Sequence, residues 1–209
     1  KKEKIHAFIT KKILKRYLGP GKPRPNYSVV DRIGRSLALY SVGMSGNVLP
    51  IEATLFPGTG QYKATGNIHP LLEEIVAVAL SYLKQHHKEF HLNLNLLLQT
   101  DLHLHFFKSE LLKEGEGWGL AIFVAILSAY LEKTVPGNVA FSGDISLLGS
   151  ILPVKHVEEK ILAANQLGID MVVLSDKNFI DRKIKVPGKT IVKAISNMDE
   201  VQTILSSTK

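Results

Sequence analysis

The chain contains no cysteine, and this absence limits its chemistry at once. A protein without thiols has no disulfide framework, no thiolate metal site and no cysteine nucleophile. Long apolar runs are missing too, since the longest, Trp118 to Leu131, is shorter than the roughly 20 residues of a membrane-spanning helix. The basic start leads into more lysines and not into the apolar stretch of a signal peptide. We therefore predict a globular, cytoplasmic protein that does not bind a membrane.

Acidic residues are scarce at one end of the chain. The net charge is +7, and residues 1–32 contain ten Lys or Arg and only two acidic residues. Such a basic arm can neutralise phosphates, which makes nucleic acid a possible partner. The candidate contacts are Lys11, Lys12, Lys15, Arg16, Lys22 and Arg24. The alternative is a solvated helix face that lies next to a further domain.

A domain boundary is predicted near residue 32. Residues 4–18 have apolar side chains at helical spacing, and "GPGKPRPNYS" after them is rich in proline and glycine, as linkers are. We divide the chain into a basic helix with its linker, 1–32, and a folded domain, 33–209. Because the first residue is Lys1 and not methionine, we expect the chain to be a piece of a longer protein.

Strand and helix patterns alternate through the predicted domain. "SLALYSV" and "NVLPIEATL" predict a β-hairpin, and "LNLNLLL" and "DLHLHFF" have the two-residue period of strands. A helix is predicted over 69–88 and a buried one from Trp118. A hairpin at "DISLLGSILPV", a helix at 157–167 and further strands follow. The expected fold class is α+β, that is, mixed α/β.

Several stretches of the chain resemble the proteolytic domain of the Lon family of ATP-dependent proteases. They are "IEATLFPGTGQYKATGNI", "DLHLHFF", "VAFSGDISLLGSILPV", "EEKILAANQLGI" and "SNMDEV". The resemblance implies the Lon proteolytic-domain fold, and it makes residues 1–32 the end of the helical subdomain of an AAA+ ATPase. It also implies a hexameric ring in the full-length protein and protein substrates. No cofactor is expected in this fragment, whereas ATP and Mg would serve the AAA+ module.

The departures from the family lie at its catalytic residues. Where Lon proteases read Lys-Asp-Gly-Pro-Ser-Ala-Gly, with Ser as the nucleophile, this chain reads "KEGEGWG" and places Gly117 at the serine. Where they read Leu-Pro-Val-Gly-Gly-x-Lys-Glu-Lys, we take the first Lys as the general base, and Glu158 stands there. Glycine supplies no nucleophile, and a carboxylate repels a developing oxyanion. We also expect Glu116 and Trp118 to fill the space of a peptide carbonyl, so the resemblance predicts an inactive serine protease homologue, a pseudoprotease.

The residues expected around this degenerate site leave several functions open. They are His103, His105, Glu114, Glu116, Trp118, Ser142, Asp144 and Lys155. Their simplest role is structural, with polar groups satisfied by the backbone. One alternative is a peptidase with a displaced dyad, for example Ser142 with Lys155. Another is a zinc site made of His103, His105, His156 and Glu158. A third is a subunit of a nucleic-acid-associated Lon-like ATPase.

Overall fold

The fold is described from a computed structural model, over residues 8–19, 30–42, 45–66, 69–107, 117–180, 184, 186 and 188–206. Its helices are α1 Lys11–Leu18, α2 Pro70–Gln85, α3 Leu94–Leu98, α4 Gly119–Leu131, α5 Val157–Gln166 and α6 Asp199–Ser206. Its strands are β1 Arg32–Ile33, β2 Arg35–Val42, β3 Ser45–Pro57, β4 Tyr62–Thr65, β5 Thr100–Phe106, β6 Thr134–Val135, β7 Val139–Ser142, β8 Asp144–Ile145, β9 Ile151–Leu152, β10 Met171–Ser175 and β11 Ile191–Ile195.

A mixed seven-stranded sheet with the order β11-β10-β7-β2-β3-β5-β4 organises the domain. Strands β2, β3 and β5 pair antiparallel, whereas β4–β5, β2–β7, β7–β10 and β10–β11 pair parallel. Two small antiparallel pairs, β1–β6 and β8–β9, lie outside this sheet. The predicted α+β class and the predicted β2–β3 and β8–β9 hairpins are confirmed.

The first face of the sheet packs against α4, which is buried along nearly its whole length. Because successive strand residues point to opposite faces, Ala38 and Tyr40 of β2 join the core on this side while Leu37 and Leu39 face away. Ser36 ties the two layers together, since its hydroxyl donates to the carbonyl of Ala121 over 2.7 Å. The apolar run from Trp118 is therefore a core helix. Among the described residues, no helix is both long and apolar enough to cross a membrane.

The second face of the sheet is covered at one end by α5. Val157, Ile161 and Ala164 of this helix pack with Leu39 and Val48. These three helix positions follow the three-to-four-residue spacing of a buried helix face. That face also carries one charged residue, Lys160, which is 1% exposed.

One predicted strand is wrong. "LNLNLLL" alternates like a strand, yet α3 occupies Leu94–Leu98. The side chain of Asn93 accepts a hydrogen bond from the backbone N–H of Asn95 over 2.9 Å. Such an N-cap satisfies a donor that a starting helix leaves open, so it favours a helical turn over an extended chain.

Helix α1 stands apart from the core. It starts at Thr10, whose hydroxyl accepts from the N–H of Ile13 over 3.3 Å, and none of its residues is buried. Just before β1, Asp31 accepts from the N–H of Gly137 over 2.8 Å. The basic candidates Lys22 and Arg24 lie outside the described residues.

Candidate active site

The turn at Gly117, just before α4, is held by backbone and carboxylate contacts. The N–H of Gly117 donates to Asp144 Oδ2 over 2.9 Å, and the N–H of Gly119 donates to Oδ1 over 3.2 Å. The carbonyl of Gly117 accepts from the N–H of Gly143 over 3.0 Å. Gly117 has φ +91°, in the left-handed region that favours glycine. Asp144 therefore fixes this turn and satisfies two donors at the start of α4.

A buried amine lies directly beside Gly117. Lys160 of α5 is 1% exposed, and its Nζ donates to the hydroxyl of Ser142 over 3.1 Å. That hydroxyl donates in turn to the carbonyl of Leu39 over 3.2 Å. A Cβ built on Gly117 would lie 3.0 Å from Lys160 Nζ, 2.8 Å from Ser142 Oγ and 2.9 Å from a methyl group of Val154. The structure thus brings an amine and a hydroxyl to the point where Gly117 lacks a side chain.

The resemblance placed the general base of the family at position 158, and this prediction is wrong. The amine beside Gly117 belongs to Lys160. Glu158 is exposed, whereas Lys160 points into the protein. The reason is the period of α5, which buries Val157, Lys160, Ile161 and Ala164 on one face and turns position 158 outward. The sequence did carry this signal, because Lys160 is the one charged residue at the buried spacing of "VEEKILAA". The amine therefore lies two residues after the position that the resemblance assigned to it.

Trp118 does not occupy the predicted place either. Its ring is fully buried in the core on the α4 side of the sheet. It meets Tyr40 edge-on with ring centroids 5.7 Å apart, and it stacks on Phe106 at 6.2 Å. The expected obstruction by Trp118 is therefore wrong, because the indole fills the core on the far side of the sheet from Lys160. Glu114 and Glu116 lie outside the described residues.

The displaced dyad of Ser142 with Lys155 is not formed. Lys155 is exposed before α5, and the amine that contacts Ser142 belongs to Lys160. Ser142 is 0% exposed. Its hydroxyl is enclosed between the amine and a backbone carbonyl.

The proposed zinc ligands are not brought together. His103 and His105 lie on β5, where the hydroxyl of Thr65 contacts His103 Nε2 at 3.0 Å and His105 Nδ1 at 2.9 Å. His156 lies at the start of α5, 3.8 Å from a carboxylate oxygen of Glu159. In the part of the chain that the structure describes, no three His, Cys, Asp or Glu residues form a group that could hold a metal ion.

The comparison with known families decides what this fold is. The model of the Lon protease (S16) C-terminal proteolytic domain matches residues 8–208. The chain belongs to the Lon protease family. Its relatives include Lon protease 1 of Thermus thermophilus, 36% identical over 171 residues that make up 81% of this chain and 22% of that protein. Lon protease of Halothermothrix orenii is 30% identical over 205 residues, 95% of this chain and 26% of that protein.

The match covers one part of the Lon proteases. Lon protease 2 of Sorangium cellulosum is 33% identical over 203 residues, which make up 94% of this chain and 25% of that protein. This chain thus spans about a quarter of the length of these relatives. The helix α1 falls within the matched residues 8–208.

Proposed function

We propose that this Lon proteolytic domain is a pseudoprotease, which keeps the fold and a buried amine but has no nucleophile for peptide cleavage. The observation that carries the proposal is the contact at Gly117, where an added Cβ would lie 3.0 Å from Lys160 Nζ. A serine–lysine mechanism needs a hydroxyl on that carbon, so that the amine can take its proton during attack. With glycine in this position, the amine has no nucleophile to activate.

Ser142 is a poor replacement for the missing serine. Its hydroxyl is fully buried, accepts from Lys160 and donates to the carbonyl of Leu39. A nucleophile must approach the scissile carbonyl to about 3–3.5 Å in an attack geometry, and an enclosed hydroxyl cannot do so. We therefore assign Ser142 the role of holding the amine.

The test is hydrolysis of casein and of fluorogenic peptides by the purified chain. We expect no turnover above the buffer control. Ser142→Ala and Lys160→Met serve as variants that remove the hydroxyl and the amine in turn. Turnover by the unaltered chain that either substitution abolishes would overturn the proposal, because it would reveal a working dyad.

The retained function is then assembly with an AAA+ ATPase module that binds ATP and Mg. Loss of a nucleophile leaves the outer faces of the domain unchanged, so they could still close a hexameric ring in a longer protein. The relatives are about four times as long as this chain, which leaves room for such a module. We expect the 209-residue chain to sediment as a monomer or weakly associated in dilute solution and to gain mass as its concentration rises. Mass that stays monomeric at every concentration would contradict a ring-forming role for these faces.

A nucleic-acid interface on α1 is the second candidate function. The helix exposes Lys11, Lys12, Lys15 and Arg16, and its first turn has no acidic residue. Phosphate contacts by such cations weaken steeply with salt, about tenfold or more between low and physiological salt for a few contacts. Retention on DNA should therefore fall over this range and disappear when residues 1–18 are deleted. Retention that does not depend on salt or on the arm would exclude this interface.

A further inference from the structure

A polar cavity lies on the face of the sheet that α5 covers, at the end of β2 where Arg35 lies. Its volume is about 320 Å³, and its polar lining is Arg32, Arg35, Glu52, Thr54, His103 and His105. Arg35 is four residues along β2 from Leu39, the residue that accepts from Ser142. At about 3.3 Å per residue this is roughly 13 Å, so the cavity is separate from the Gly117 turn.

The strand register explains why polar side chains gather there. Arg35 pairs with Glu52, Glu52 pairs with His105, and Thr54 pairs with His103. The residues between them, such as Ile51 and Leu104, face the α4 core. Because neighbouring strand residues alternate between faces, the paired polar residues form two adjacent rows on the opposite face, one across three strands and one across two.

The charged residues that line this cavity are of both signs. The exposed Arg32 and the half-buried Arg35 line the cavity together with the half-buried Glu52. The carboxylate of Glu52 makes no hydrogen bond or ion pair with another residue that the structure describes. Thr65 contacts one ring nitrogen of each histidine and so orients both rings.

We infer that this cavity binds a small zwitterion, a free amino acid or a short peptide. Its carboxylate would meet the fork of Arg32 and Arg35, and its ammonium would meet Glu52. A simple anion would leave the carboxylate of Glu52 without a partner, and a simple cation would be repelled by the two guanidinium groups. The cavity volume is at the small end of the range for ligand pockets, which suits a ligand of one or two residues. This binding needs neither Gly117 nor Lys160, so it goes beyond the proposed function.

The experiment titrates isotope-labelled 209-residue chain with L-alanyl-L-alanine and follows the backbone amide shifts. We expect saturable shifts confined to β1, β2, β3 and β5 around the cavity. The N-acetylated dipeptide and the dipeptide amide should each bind at least tenfold more weakly, because each lacks one charge. A parallel titration with L-alanine distinguishes an amino-acid site from a dipeptide site. Equal binding of the capped ligands, or no saturation, would overturn the inference.

Two charge-removing variants assign the two ends of the ligand. Glu52→Gln should weaken dipeptide binding at least tenfold and leave the N-acetylated ligand unchanged. Arg32→Gln should weaken the binding of the dipeptide and of the N-acetylated dipeptide, and it should leave the binding of the dipeptide amide unchanged. Lys193→Gln, on β11 at the far edge of the sheet, is the matched control and should change nothing.

Inorganic phosphate serves as the competing probe. If phosphate binds as tightly as the dipeptide and Glu52→Gln tightens its binding, the cavity is a plain anion site and the inference is wrong. All these readouts are independent of peptide hydrolysis at Gly117. Turnover by the unaltered chain would therefore overturn the proposed function without affecting this one.

Discussion

Adding a single methyl group at position 117 should cost more stability than the same change at a matched glycine. Gly117 has φ +91°, and its added Cβ would lie 2.8 Å from Ser142 Oγ, 2.9 Å from Val154 Cγ1 and 3.0 Å from Lys160 Nζ. Gly168 has φ +75°, but nothing lies within 4 Å of its added Cβ. Gly168→Ala therefore carries the backbone strain alone, whereas Gly117→Ala carries the strain and the crowding.

The magnitudes follow from these two terms. Left-handed backbone costs a residue with a Cβ about 1–2 kcal/mol. Overpacking a buried site costs about 1–3 kcal/mol. We expect Gly168→Ala to lower the free energy of unfolding by about 1–2 kcal/mol and Gly117→Ala by about 2–5 kcal/mol. For a domain of this size each kcal/mol corresponds to about 2–4 °C in Tm.

Urea titration followed by circular dichroism measures both changes. Adding Ser142→Ala should recover part of the loss in Gly117→Ala, since it removes the nearest of the three atoms. It should recover nothing in Gly168→Ala. Equal losses for the two glycine variants, with no recovery by Ser142→Ala, would refute the packing of Lys160 and Ser142 against Gly117.

Three further predictions concern contacts around the site and the core. Asp144→Ala should lower the free energy of unfolding by about 2–3 kcal/mol, because two backbone N–H groups lose their carboxylate acceptor. Urea titration measures this change. Asp170→Ala is the control, since Asp170 is exposed and accepts from one side chain, and it should lower the free energy of unfolding much less. Ser128→Ala should cost about 1–3 kcal/mol, because it leaves the buried N–H of Gly34 without its 2.9 Å partner, and full stability would contradict this. Burial, and then the charges of Glu89 and Asp199, raise the pKa of Tyr82. Tyr82 therefore loses its proton at a lower pH in the unfolded chain than in the folded one, so the free energy of unfolding should fall as pH rises above about 10. Tyr82→Phe should make that fall smaller, whereas Tyr17→Phe, in the exposed helix α1, should leave it unchanged.

The elements with strong periodicity could be predicted from the sequence. The β2–β3 hairpin, α2 and α4 appear where apolar side chains repeat at the period of each element. The "LNLNLLL" segment was predicted as a strand because leucine at alternate positions fits that period. Its capping asparagine, Asn93, favours the helix that forms. A local polar contact thus outweighed the apolar pattern.

The sequence could predict where the candidate site lies, but not which amine lies beside Gly117. The resemblance identified Gly117 as the position without a nucleophile, but it assigned the amine to Glu158. Only the burial of one α5 face shows that Lys160 reaches the glycine. The position of the Trp118 ring in the core could not be predicted either, because a sequence motif does not show on which side of the sheet a side chain lies. The polar cavity at Glu52 depends on the register of three strands, which no single segment of sequence reveals.

The most direct test of the proposed loss of the dyad is to return a hydroxyl to position 117 and ask whether Lys160 activates it. The chain, Gly117→Ser and the double variant Gly117→Ser with Lys160→Met are incubated with a fluorophosphonate probe while circular dichroism confirms that each is folded. Mass spectrometry should find no adduct on the unaltered chain, an adduct at position 117 in Gly117→Ser, and none in the double variant. An adduct on the unaltered chain, or equal labelling of Gly117→Ser with and without Lys160, would contradict the account.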